Sequence, residues 1–179
     1  MQNPIKVEAY NFKPIIKYSI IAALVSCCLI FVIPNFVRFL SELFAGIIIV
    51  GIPYGFFVQK IKKNEETLEV SFDEISINNK NLNPHDIGSY RIMNALRLYF
   101  ILRINLKNGE QIVYYLPETA KENIRTFFNK NDIKESHLNI DFFIKNYLFI
   151  YVLAYVVVIG FSYYFGQQLY YFLKFNLFI

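Results

Sequence analysis

Two long uncharged runs on either side of a polar, strand-patterned island predict an integral membrane α-helical protein: a helical hairpin and a C-terminal span, with a small α+β module inserted between them, its antiparallel sheet closed by one helix. Three observations carry this. Hydrophobic residues make up 55% of the 179-residue chain and charged residues only 18%, against roughly 25% in an ordinary soluble protein. The apolar excess is concentrated before Gln59 and after Lys145, as membrane segments require. Between those positions apolar and polar residues alternate at strand spacing, and only there could water fold the chain.

Residues 1–17 read as a polar N-terminal segment in which Pro4 and Pro14 weigh against a helix. From Tyr18 to Ile33 no charge appears, Pro34-Asn35 supplies a turn signal, and a second uncharged run covers Leu43 to Val58. Each run is about 16 residues, roughly 24 Å of helix against roughly 30 Å of hydrocarbon. Ile15, Ile16, Phe36, Val37, Phe39 and Leu40 can lengthen them, and Lys17 can reach back to the interface. Residues 18–58 are therefore expected to form a tight transmembrane hairpin, with a re-entrant hairpin as the alternative. Near its tip Arg38 and Glu42 stand i,i+4, the spacing of an ion pair or of two solvated interfacial side chains. Gly51-Ile-Pro-Tyr-Gly55 has GxxxG spacing, so Gly51 and Gly55 mark a candidate helix-packing face, kinked by Pro53, through which the chain could form a homo-oligomer.

Residues 146–179 carry no charge from Asn146 to Leu173, room for one span and not for two. Tyr147, Tyr151 and Tyr155 toward one end, and Tyr163, Tyr164, Tyr170 and Tyr171 toward the other, match interfacial aromatic belts. Gly166-Gln167-Gln168 is expected to mark emergence from the bilayer core, with the tail from Leu169 at the interface or extending the helix. Cys27 and Cys28 are neighbours inside an apolar run, a poor geometry for a disulfide. Leu24-Val-Ser-Cys27 fits a lipoprotein cleavage box, but the sequence after it stays apolar where a mature lipoprotein usually carries a polar tether.

The lysines set the orientation. Lys13 and Lys17 precede the first span, Lys60, Lys62 and Lys63 follow the second, and Lys145 precedes the third. Three spans put all of them on one side, so the N-terminus and the island are expected in the cytosol and the C-terminus outside. Lys60, Lys62 and Lys63 are also the candidate lipid-headgroup contacts.

Within the island, residues 59–145, Leu68 to Phe72 alternates, Ile75-Ser-Ile77 repeats the pattern after Asp73-Glu74, and Asn78 to Asn81 reads as a turn or loop. Asp86 to Met93 is a weaker strand. Leu98 to Leu106 is a strong one, with Leu98, Phe100, Leu102, Ile104 and Leu106 on one face. Lys107-Asn-Gly-Glu110 carries a tight hairpin signal leading into the strand Gln111–Leu116. Pro117 then opens a helix whose buried stripe is Ala120, Ile124, Phe127 and Phe128.

The formal charge of +4 comes from the membrane flanks, because Asn64 to Ile140 holds nine Lys/Arg against eleven Asp/Glu. A mildly acidic module gives no basic face for nucleic acid. His85 and His137 have no second His or Cys at ligand spacing, and no phosphate loop, GxSxG or HExxH motif is present. Glu65-Glu66 and Asp73-Glu74 read as linker and turn charges. Arg91, Arg97 and Arg103 could meet lipid phosphates along a sheet edge, but the acidic balance favours solvated side chains. No catalytic, cofactor-binding or metal-binding residue is expected.

The paired strands Thr67–Ile77, the strand–Asn-Gly–strand unit Leu98–Leu116 and the closing helix Pro117–Asn129 give a layout that resembles the bacterial pleckstrin-homology-like domains, and especially the YcxB-like membrane proteins. The resemblance covers about the first 130 residues, and the third apolar run departs from it. It implies a barrel-like sheet capped by a helix and no catalytic residues. Some related membrane proteins are self-immunity factors against peptide toxins. The expectation is thus a non-enzymatic, multi-pass protein of a bacterial inner membrane whose module binds or scaffolds a protein partner. The alternative is an immunity protein acting on a membrane-active toxin through its spans, and a transporter or channel ranks below both.

Overall fold

Among the described residues, three of the four helices are long and apolar enough to cross a membrane, and a curled antiparallel sheet makes up most of the rest. The computed structural model describes residues 5–36, 42–71, 74–78, 80–96 and 98–177. The chain divides into two units, one of Met1–Ile15 with Lys63–Tyr147 and one of Ile16–Lys62 with Leu148–Ile179.

The first unit holds β1 (Ile5–Asn11), β2 (Glu65–Val70), β3 (Ile75–Ile77), β4 (Lys80–Leu82), β5 (Ile87–Leu96), β6 (Tyr99–Leu106) and β7 (Gln111–Pro117). They are ordered β4-β3-β2-β1-β7-β6-β5 in one half-barrel sheet. The N-terminal segment is therefore not a separate polar stretch: β1 is the middle strand, pairing with β2 from Ile5↔Val70 to Tyr10↔Glu65 and with β7 at Tyr10 and Asn11. Lys80–Leu82, which falls partly on the expected turn, is a strand paired with β3. At the Asn-Gly turn Gly109 takes a φ of +87°, a backbone region glycine enters without steric cost.

The helix expected from Pro117 begins as a 3-10 turn, Glu118–Ala120, and becomes α3 at Lys121–Lys130. Ala120, Ile124, Phe127 and Phe128 are fully buried against Leu68, Val70, Phe100, Leu102, Ile104 and Leu116 in the sheet's core, and Phe128 stacks on Tyr90 at 3.9 Å. Leu98 does not join this face. It sits in the turn before β6 and is 71% exposed. The side chains of β6 on the opposite face are buried as well, Ile101 and Arg103 both fully.

The second unit is built from the parts of α1 (Phe12–Phe36), α2 (Glu42–Lys63) and α4 (Ile140–Leu177) that lie within Ile16–Lys62 and Leu148–Ile179. Asn11 ends β1 and caps α1, its side-chain oxygen accepting from the Lys13 N–H. Pro14 then occupies the first turn, where its missing N–H costs nothing, so the proline does not oppose this helix. Lengths of about 37, 33 and 57 Å follow from 25, 22 and 38 residues at 1.5 Å each. The uncharged runs are therefore extended at both ends, and α4 continues through Gly166-Gln167-Gln168.

Candidate functional site

Polar groups inside the helical unit form a ladder between α1 and its neighbours. Pro53 lies inside α2 and has no N–H to give to the carbonyl four residues back, that of Ile49. The Ser26 hydroxyl on α1 donates to that carbonyl at 3.0 Å. Ser26 is fully buried, and its oxygen lies 2.6 Å from the Tyr155 hydroxyl on α4. A serine has one hydrogen, which Ile49 takes, so Tyr155 is the donor in the second bond. The backbone vacancy made by Pro53 is thus filled by α1 and tied to α4. In an apolar surround this is how a proline within a spanning helix is tolerated.

The ladder continues above and below. Tyr151 donates to the Ser19 carbonyl at 3.0 Å, and Ser162 donates to the Cys27 sulfur at 3.2 Å. The Cα of Gly166 points toward Phe31, whose ring would lie 3.4 Å from an added Cβ. Positions rise together along both helices, so α1 and α4 run parallel, whereas Tyr18 against Phe56 and Ile30 and Ile33 near Ile49 and Ala45 make α1 and α2 antiparallel. Tyr151 and Tyr155, expected in an interfacial belt, serve here as interhelical donors.

In the sheet unit the buried polar group is charged. Arg103 on β6 is fully buried. Its Nε and Nη2 donate to the two carboxylate oxygens of Asp141 at 2.6 and 3.1 Å, and Nη2 also donates to the Ser136 carbonyl at 2.7 Å. Asp141, in the first turn of α4, accepts from the Leu138 N–H as well. Arg91 stands opposite Arg103 in the β5–β6 ladder and pairs with Glu135 at 2.9 Å. Like charges directly across a ladder repel, and the segment 135–141 neutralises both. Neither arginine is a free lipid-phosphate contact, and Arg97 lies outside the described residues. Ser136 N–H donates to the Tyr90 carbonyl, and Tyr90 N–H to that of Lys134, so this segment also covers part of the β5 edge.

Carboxylates and phenols meet where β1, β2 and β7 adjoin. Tyr114 donates to Glu66 at 2.5 Å, and Asn11 donates to the same carboxylate at 3.3 Å. Burial, then the bond to Glu66, pushes the Tyr114 phenol well above its ordinary value. Tyr10 is raised by burial and by the Glu65 and Glu8 carboxylates, and burial pushes Tyr115 up to about 12. Groups of three or more His, Cys, Asp or Glu able to hold a metal do not occur among the described residues.

The expected site residues are scattered over the fold. Gly51 and Gly55 are exposed on α2, with nothing but Ile47 of their own helix within 4 Å of an added Cβ. The face is open, and within the unit it packs no helix. Arg38 lies outside the described residues, and of Glu42 only its place at the start of α2 is described. Lys60 lies over the Phe56 ring, and Lys62 and Lys63 are exposed at the end of α2. A shallow groove on α4 is lined by Val156, Val157, Gly160, Phe161 and Tyr164. No protein-family model matches the chain, and no functionally characterised protein matches it in sequence.

Proposed function

We propose that the chain is a non-enzymatic multi-pass protein of a bacterial inner membrane whose cytosolic, PH-like sheet module binds or scaffolds a protein partner. The observation that carries this reading is the point where the membrane hairpin is spliced into the sheet. α1 follows β1 directly and α2 returns to β2 through Asn64 alone, while Tyr10 and Glu65 stand opposite each other in the β1–β2 ladder. On this reading the paired strands β1 and β2 lie on one side of the membrane, and the hairpin inserted between them in sequence crosses twice. On the same reading α4, which runs parallel to α1 within the helical unit, crosses in the same sense as α1. Lys13, Lys17, Lys60, Lys62, Lys63 and Lys145 then gather on the module's side, where the positive-inside tendency puts the cytosol.

Two meanders, β1–β4 and β5–β7, joined through β1 and β7 and closed by one following helix, support the PH-like reading. Strand addition is a poor route to a partner, because β4 is three residues long and segment 134–136 occupies part of the β5 edge. A partner would meet side-chain surface instead. The alternative, immunity to a membrane-active toxin through the spans, draws support from the uncovered Gly51–Gly55 face and the groove at Gly160.

Photo-crosslinkers placed in cells at Glu122 or Lys130 on α3, and separately at Phe161 or Tyr164 on α4, separate the readings. A discrete protein adduct from α3 that disappears when Phe100→Asp disrupts the sheet is the expected result. Adducts from α4 alone, unaffected by Phe100→Asp, would overturn the first reading in favour of the alternative.

A further inference from the structure

The first two turns of α4 belong to the sheet unit and have one covered face and one open face. On the covered face Ile144 is buried, and Asp141 holds Arg103 through two hydrogen bonds. On the open face Phe142 and Phe143 are 65% and 62% exposed, and Leu138 and Ile140 just before them are exposed as well. The two rings meet edge to face, with centres 5.7 Å apart and planes at 85°. The bonds of Asp141 fix the rotation of these turns, so the phenylalanines are held pointing outward.

The open face continues along the same helix. Phe142, Phe149 and Val156 stand seven residues apart, a spacing that drifts only about 20° around an α-helix per step, and Phe149 and Val156 are exposed too. Phe142 precedes Phe149 by about 10 Å at 1.5 Å per residue, a distance comparable with one headgroup layer of roughly 5–8 Å. The polar residues between them suit that depth. Asn146 donates to the Phe142 carbonyl at 2.8 Å, so its own helix satisfies part of its amide. Lys145 is exposed. Helix side chains lean toward the N-terminus, which carries its ammonium back toward the headgroups.

We propose that Leu138, Ile140, Phe142 and Phe143 insert into the headgroup–acyl boundary of the bilayer, so that the base of α4 is an interfacial anchor and not a stalk in water. The inference rests on the membrane reading above. It goes beyond that reading, because the uncharged run starts only at Asn146 and leaves these four residues to the cytosolic module. The occupant is lipid, because this face continues the one that α4 turns to hydrocarbon within its span, and an apolar face beside a lysine is what the boundary accepts.

The chain contains no tryptophan, so one substitution adds a single emitter. Phe142→Trp, Phe143→Trp and, within the span, Val156→Trp are each made in the full chain and reconstituted in phosphatidylcholine vesicles. Emission is compared with plain lipid, with lipid brominated high or deep on its acyl chains, and with iodide in the water. The expected result is that high bromines remove most of the emission at positions 142 and 143, and that iodide quenches it far less than it quenches free tryptophan. At position 156 the deep bromines should quench most. Emitters at 142 and 143 that iodide reaches and bromine does not would put the patch in water and overturn the inference. Emitters shielded from both quenchers would mean that protein covers the patch, a second copy or a partner, and would overturn it too. In either case bromine quenching at position 156 leaves the membrane reading intact, whereas its absence there removes that reading itself.

Discussion

Ser26 among the helices and Arg103 in the sheet are both fully removed from solvent, and they are held by different chemistry, with the Nη1 of Arg103 buried without a hydrogen-bond partner. Ser26 is one link in a neutral chain: Tyr155 gives it a proton to accept, and it gives its own to a carbonyl that Pro53 has left open. Arg103 is held by a bidentate carboxylate and a backbone carbonyl. The difference follows from what surrounds each group. An unpaired hydroxyl in an apolar interior costs a few kcal/mol at most, whereas an unpaired guanidinium costs far more. Neutral links can therefore be spread along a helix interface, while a buried charge must be matched at its own site. Among the described residues, neutral bonds link the helices, whereas the buried guanidinium of the sheet unit is clamped by a bidentate carboxylate.

Breaking the clamp should have the largest effect. Arg103→Met or Asp141→Ala alone strands a buried partner and is expected to cost about 3–5 kcal/mol of stability. Replacing both, as Arg103→Met/Asp141→Leu, should recover most of that loss, because well-packed apolar groups often stand in for a buried pair. Denaturation of the purified protein in detergent, followed by a probe on the sheet unit, measures all three. A double variant as unstable as the worse single would show that the pair does more than satisfy itself.

A smaller effect separates the phenols from the clamp. The Tyr114 pKa is raised in the folded chain, so the fold favours the protonated phenol. Its contribution is full below the ordinary value of 10.0 and is lost as pH rises through the raised folded value. Stability should fall above about pH 10, and less steeply in Tyr114→Phe, which has no proton to lose. Identical slopes for the two proteins between about pH 10 and 11 would remove Tyr114 from the explanation.

What could be read from the sequence depended on the range of the interaction. The stripe Ala120, Ile124, Phe127 and Phe128 repeats at the helical period, and all four are buried. The Asn-Gly turn between β6 and β7 was equally plain. Ile5, Val7 and Ala9 alternate with Lys6, Glu8 and Tyr10, a strand period that a reading of residues 1–17 as a polar segment passes over, and Pro14 falls where a helix start accepts one. The burial of Ile101 and Arg103 on the other face of β6 was hidden, because in alternation with Phe100, Leu102 and Ile104 those positions read as the solvent face. Arg103 looked like a surface charge because its partner is 38 residues away. Ser26 gave no signal, since a serine in an apolar run is ordinary. Only the missing N–H of Pro53, four residues beyond Ile49, hinted that something had to reach that carbonyl.

A double-mutant cycle on Ser26 and Pro53 tests the account most directly. Ser26→Ala alone should destabilise the helical unit by about 1 kcal/mol, in the range found for hydrogen bonds between membrane helices. In the Pro53→Ala background the helix regains an N–H that can bond to the Ile49 carbonyl, so Ser26→Ala should cost clearly less there. Thermal unfolding in detergent reports the coupling. A Ser26→Ala cost that is the same with proline or alanine at position 53 would contradict the claim that Ser26 fills the vacancy left by Pro53.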